Sequence, residues 1–208
     1  MVMSKRNIIF ILLVLFSITG IFTYFQSLPS LLEKKPSLIT GKILVRPMEI
    51  DNFELTDQNN EVFNKKSLEG GWTVLFFGYT NCPDVCPTTI YKLAEIKNGI
   101  KEDLPSANFN TVLVTLDPDR DSAERLDEYI GYFDETMLGV TGTYENIQSF
   151  TSSLSVFYQR INKEEGYDFN HTASIFVFDK DGSLFATMSP ANTVEEIESD
   201  FFTILNNF

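Results

Sequence analysis

The chain has 208 residues, 43% of them hydrophobic, with 29 acidic against 16 basic residues and a formal net charge of -13. So acidic a chain is repelled by phosphate backbones, which makes nucleic acid a poor partner; the plain reading of the charge is a solvated surface. Two cysteines are too few for a disulfide-dense scaffold, and the length beyond the N-terminal region is enough for one ordinary core.

The first seven residues carry Lys5 and Arg6 and read as a short basic cytoplasmic N-terminus. Ile8 to Phe25 is an apolar run of eighteen residues, which as a helix spans ~27 Å, close to the hydrocarbon thickness of a bilayer. The run continues past Gly20 without a good small-x-small exit, so it predicts an uncleaved transmembrane anchor rather than a signal peptide. No cysteine follows it closely enough for a lipid attachment. The short basic end stays inside and the long domain translocates, although Lys34, Lys35, Lys42 and Arg46 blur the charge rule. This places the protein in the inner membrane, single-pass, with its domain facing the periplasm.

Residues 26–47, with Pro29, Pro36 and Pro47 among mixed charges, read as a tether, and residues 48–208 as the domain. Phe53 to Thr56 alternates and Asp57-Gln-Asn-Asn turns, which predicts a hairpin. Trp72 to Tyr79 is a continuous apolar and aromatic run, as in a central strand buried on both faces. A helix follows, with Ile90, Leu93 and Ile96 at helical spacing, then a second buried strand from Asn110 to Leu116. Asp121-Ser-Ala-Glu124 reads as a capping box opening a helix with Leu126, Tyr129, Ile130 and Phe133 inward. Further elements are a helix from Thr143 to Phe157, a strand from Ser174 to Phe178, a tight turn at Asp179 to Gly182, and an amphipathic helix from Thr193 to Leu205. Strand–helix alternation ending in a hairpin indicates an α/β fold.

Cys82 and Cys86 lie between the buried strand and its helix, in GYTNCPDVCPTT. A helix N-terminus lowers a thiol's pKa, and Pro83 is tolerated there because its missing N–H is not needed. A proline after each cysteine and polar neighbours do not suit a core stripe, so the pair predicts either a metal site or thiol chemistry. His171 is the chain's only histidine, and loops at the strand ends of an α/β sheet converge, so the segment before SIFVF can reach the cysteine helix. Two thiolates and one imidazole are one ligand short of a closed structural zinc site; they suit Cu(I) or catalytic zinc. A peroxidase needs an arginine set against its reactive cysteine. Asp117-Pro-Asp-Arg-Asp121 has the outline of a calcium loop, but Ser122 replaces the required glycine and Arg120 puts a positive charge inside the would-be cage, so helix capping and a salt-bridged loop are the better reading. Asp84 sits at the helix start and is not read as a ligand.

At these residues the chain resembles the SCO/SenC family of the thioredoxin-like superfamily. The likeness runs from about Met48 to the C-terminus through FELTDQNNEVF, FFGYTNCPDVCPTT, LVTLDPDRD, LGVTG and HTASIFVFDKDG, in the family's order. It implies a thioredoxin-like fold with a central mixed sheet flanked by helices, behind the membrane helix. It further implies that Cys82, Cys86 and His171 bind copper, as Cu(I) through the trio alone and as Cu(II) with added oxygen or water ligation. The implied task is delivery of Cu(I) for the Cu(A) centre of cytochrome c oxidase. The implied partners are that enzyme's copper-bearing subunit, other copper chaperones and thiol reductants. The alternative is a thiol–disulfide reductase using Cys82 and Cys86 to keep the target's cysteines reduced. Asn81 stands where many relatives have histidine, and Asn170 where relatives usually have aspartate. No proline directly precedes the His171 strand, as a thioredoxin reductant keeps, which favours metal handling.

Overall fold

The computed structural model describes residues 13–24 and 36–208. Residues 13–24 are helical (α1). The rest of the predicted anchor and the basic N-terminus lie outside the described residues, and among those described no helix is long and apolar enough to cross a membrane. The chain divides into two compact units, Met1–Pro36 and Ser37–Phe208.

The second unit is built around β4, Trp72–Gly78, all seven residues of which are buried. β4 pairs in parallel with β5, Phe109–Thr115, and antiparallel with β9, Ile175–Phe178. Parallel pairing continues from β5 to β6, Leu138–Thr141. The hairpin of β2, Glu54–Asp57, and β3, Val62–Asn64, extends one edge; β10, Leu184–Met188, and β1, Gly41–Met48, extend the other. The result is an eight-stranded mixed sheet in the order β1-β10-β9-β4-β5-β6-β2-β3.

Strand periodicity sorts β4 into two cores. Trp72, Val74 and Phe76 face α2, Val85–Asp103, α3, Ala123–Gly131, and α5, Val194–Asn207. Leu75 and Phe77 face the opposite way, toward Ile147 and Phe150 of α4, Tyr144–Ser153, and toward Phe53, Leu55 and Phe63. The two-layered cover explains why β4 has no polar face.

Several elements differ from the sequence reading. Gly41–Met48, all but its last residue inside the stretch read as tether, is a strand, and the turn before it is fixed by Asp200 of α5. That carboxylate is 1% exposed and accepts from the N–H groups of Ile39 and Thr40, each at 2.7 Å, and from the Thr40 hydroxyl at 2.6 Å. The helix expected to run to Phe157 stops at Ser153, and Ser155 takes a left-handed conformation (φ 56) that turns the chain away. A hairpin absent from the sequence reading follows: β7, Tyr158–Asn162, and β8, Tyr167–His171, form a separate two-stranded sheet. The cap of α3 is Ser122, whose hydroxyl accepts from Arg125 N, and not Asp121, whose carboxylate is buried elsewhere.

Asp200→Ala leaves those donors without their acceptor, which costs about 3 kcal/mol. Urea unfolding should show that loss. Asp200→Asn, which keeps a carbonyl oxygen, should lose less, and limited proteolysis should cut first near Thr40.

Candidate metal centre

Seven buried residues carry β4 to the sheet's carboxyl edge, where Tyr79 to Asp84 loop into α2. The loop is pinned from below. Asp121, fully buried, accepts from Thr80 N at 3.0 Å, Thr80 Oγ1 at 2.6 Å and Thr115 Oγ1 at 2.5 Å. A carboxylate receiving this many donors orders the chain just ahead of Cys82. The turn closes when Cys82 N donates to Tyr79 O at 3.2 Å.

Cys82 is half-buried and Cys86 fully buried, and both are free thiols. Asp84 occupies the cap position of α2, yet its side chain makes no capping bond. The sulfur of Cys82 does that work instead, accepting the N–H of Cys86 at 3.4 Å. A β-carbon on Gly78 would lie 3.0 Å from Cys86 Sγ, so the glycine leaves room for the second sulfur against the strand.

The two thiols are unequal. The Cys86 thiol donates to the Cys82 sulfur and, with the N–H groups of Asp84 and Cys86 and the Tyr79 hydroxyl, brings the Cys82 thiol down to about 5, against the opposing effect of burial. The same thiol–thiolate bond, together with burial and the nearby charge, pushes Cys86 far up. Near neutral pH the pair holds one proton, on Cys86.

His171 ends β8 and reaches the cysteines from the hairpin: its Nε2 is 4.0 Å from Cys86 Sγ. Its Nδ1 is 3.1 Å from the carbonyl oxygen of Thr172, which can only accept, so Nδ1 carries the proton and Nε2 offers its lone pair to the site. The rings of Phe76 and Tyr79 meet the imidazole edge-on, with centroids 6.2 and 6.1 Å away.

The donor set fits a soft ion. Two ligands bound to one ion at about 2.0–2.3 Å each stand roughly 3.5–4 Å apart, the scale of the Cys86–His171 separation. The trio is not closed into a cage: among the described residues no group of three or more His, Cys, Asp and Glu side chains stands ready to hold a metal.

The sequence reading missed the residues that hold the hairpin. Tyr79 donates a hydrogen bond to Asp168, whose other carboxylate oxygen pairs with Lys163; these partners, Lys163 foremost, hold Asp168 at about 2. Asp117 accepts from Arg120 and, at 2.8 Å, from the Tyr167 hydroxyl. Arg120 and Arg160 cover the Tyr167 ring, at 3.8 and 3.4 Å from its centroid. The Asp117–Asp121 segment is thus the salt-bridged loop expected of it, and it joins hairpin to cysteine loop. Tyr167 and Asp168 lie in a five-residue strand, YDFNH, whose short aromatic–polar alternation is the one sequence signal that could have marked it.

Fold and site together define a thioredoxin-like α/β domain with a thiol pair at a helix start and a histidine brought over it. A model of the SCO1/SenC family matches residues 45–206, and the chain belongs to that family. An SCO2-like protein of Rickettsia felis is 29% identical over 206 residues, covering 94% of this chain and 98% of its own. A putative copper-binding protein of Stutzerimonas stutzeri is 33% identical over 162 residues, covering 76% and 79%. Among solved structures, copper-bound ScoI of Bradyrhizobium japonicum is 33% identical with a TM-score of 0.66, covering 74% of this chain and 97% of its own. Copper-bound ScoI of Arabidopsis thaliana is 27% identical with a TM-score of 0.73, covering 76% and 99%.

The inequality of the thiols is directly measurable. Alkylation of the reduced protein should modify Cys82 first, with a rate that rises as pH passes through about 5 and is flat by neutrality. Cys86→Ala removes the donated S–H and should move that midpoint upward; an unmoved midpoint would show that the helix N-terminus alone sets it.

Proposed function

We propose that the chain is a membrane-anchored copper chaperone that holds Cu(I) on Cys82, Cys86 and His171 and delivers it for maturation of the Cu(A) centre of cytochrome c oxidase. The observation that carries this reading is the convergence of three soft donors from two separate elements. Cys86 Sγ and His171 Nε2 lie 4.0 Å apart, with Nδ1 engaged by a backbone carbonyl and Nε2 left to bind. Copper bound to relatives of the same family supports the choice of ion.

Copper here is cargo, and the residues suit loading and release. Cys82 is the thiolate that meets the ion; Cys86 must give up its proton to become the second ligand, so loading near pH 7 releases about one proton per site. Three ligands leave room for an incoming thiolate from the acceptor to bind before one of the chain's own leaves. The acceptor is the copper-bearing subunit of the oxidase, with other copper chaperones and thiol reductants as further partners.

The anchor belongs to the same proposal. The uncharged run from Asn7 to Leu32, helical over residues 13–24, supports a single span ahead of the domain, with the domain on the periplasmic side of the inner membrane. Residues 26–47 then include the tether and all but the last residue of the first strand.

A second reading rests on the Cys82 thiol. With its pKa near 5 and a second cysteine beside it, the pair has what a thiol–disulfide reductase needs to keep a target's cysteines reduced for metallation. That reaction does not need the imidazole.

Anaerobic titration with Cu(I) should saturate at about one equivalent with release of about one proton at pH 7. Binding should be lost in Cys82→Ser/Cys86→Ser and weakened in His171→Ala. Unchanged affinity in the double serine variant defeats the site assignment. Reductase activity that survives His171→Ala, without copper binding in the parent, selects the second reading.

A further inference from the structure

The hairpin that carries His171 forms no ladder with the main sheet. Its strands are half-exposed or exposed, and only Tyr158 and Phe169 pack against the hydrophobic cores, so apolar burial fixes it in part. Its far end is held to the loop after β5, through Tyr167, Asp117, Arg120 and Arg160. Near the site, a different residue meets it. Tyr79 touches both halves of the centre at once. Its carbonyl accepts the N–H of Cys82, its ring meets Phe169 and His171 edge-on, and its hydroxyl donates to Asp168 Oδ1.

We infer that the Tyr79–Asp168 hydrogen bond is the latch that holds the His171 hairpin against the cysteine loop, which makes Tyr79 and Asp168 positioning residues for copper capture. The inference rests on Cys82, Cys86 and His171 being the copper ligands. Asp168 lies three residues before His171 on the same strand, and Tyr79 three residues before Cys82 on the same loop. A contact between them therefore fixes the spacing of imidazole and thiols without either residue touching the ion. Lys163, on the other oxygen of Asp168, keeps the carboxylate charged and in place when the phenol is removed.

Tyr79→Phe keeps the ring and removes the donor. In the metal-free protein the lone histidine gives a single imidazole spin system, and its nuclear Overhauser contacts with the Phe76 ring report where His171 sits. Those contacts should weaken in Tyr79→Phe and in Asp168→Ala, and persist in Asp168→Asn, which retains an acceptor. Cu(I) affinity, measured against a competing chelator, should fall about tenfold in Tyr79→Phe, the scale of one hydrogen bond to a charged group. In a His171→Ala background the same substitution should cost nothing further. Circular dichroism and melting of each variant identify any that fail to fold, and Asp168→Ala then serves in place of Tyr79→Phe. Unchanged Overhauser contacts, or an equal loss of affinity with and without His171, overturn the latch while leaving the copper site standing. A parent that binds no Cu(I) but shows the expected loss of contacts overturns the copper reading alone and with it the assigned purpose of the latch.

Discussion

The site depends on β4 being buried on both faces. A strand with seven buried residues leaves little place for polar chemistry along its length, Thr73 being its one polar side chain, so the chain turns polar past its end, at Thr80 and Asn81. The same constraint applies to β5, whose last residue, Thr115, is buried and bound to Asp121. The two parallel strands therefore deliver their loops side by side at one sheet edge, the general location of sites in parallel α/β sheets. Asp121 ties the loops together beneath the surface, and the cysteines sit on that joint. Without the double-sided core, neither loop would have a fixed point from which to project.

The centre also depends on an asymmetry that composition alone does not show. The cysteines are four residues apart at the start of one helix, a spacing that looks symmetrical in a sequence. In the folded chain Cys82 faces the helix N-terminus and receives N–H groups, whereas Cys86 is wedged between Gly78 and the core. One becomes a stable thiolate and the other a retained thiol. An open nucleophilic sulfur beside a protonated reserve suits both capture of a soft cation and attack on a disulfide, which is why geometry at the thiols favours neither on its own. The imidazole is what tilts the balance toward metal, since thiol exchange has no use for a neutral Nε2 held in this direction.

Much of this was legible in the sequence where hydrophobic pattern and structure share a cause. WTVLFFG reads as a central strand because double burial demands continuous apolar residues, and Thr193 to Leu205 reads as a helix because one face is buried. The edge strand Gly41–Met48 was hidden because Lys42, Arg46 and Pro47 are tolerable there, with one side open to solvent. The hairpin Tyr158 to His171 is hard to see because its strands are five residues each, pair only with each other, and the alternation in YDFNH has no match in YQRIN. Asp121 was misread for a subtler reason. Asp-Ser-Ala-Glu offers two adjacent capping residues, and the sequence does not say which one caps. Ser122 takes the cap because Asp121 is drawn inward by Thr80 and Thr115. His171 could be assigned to the site from topology, but the hairpin that carries it could not be seen.

The two asparagines that depart from the family resemblance acquire a physical context. Asn170 is exposed on β8, so the residue beside His171 brings no carboxylate charge to the centre. The acid of this strand is Asp168, two residues earlier, and its two oxygens are occupied by Tyr79 and Lys163. Its charge is consumed in holding the hairpin rather than in facing an ion. Asn81, before Cys82, is likewise exposed, and the Thr80 hydroxyl that contacts its side chain also binds Asp121. The carboxylates of Asp121 and Asp168 near the trio are thus engaged by other partners, while Asp84 between the cysteines makes no capping bond. On the reading proposed above, two thiols and an imidazole with neutral Asn81 and Asn170 beside them suit a soft monovalent ion, whereas a divalent one would draw on added oxygen ligands.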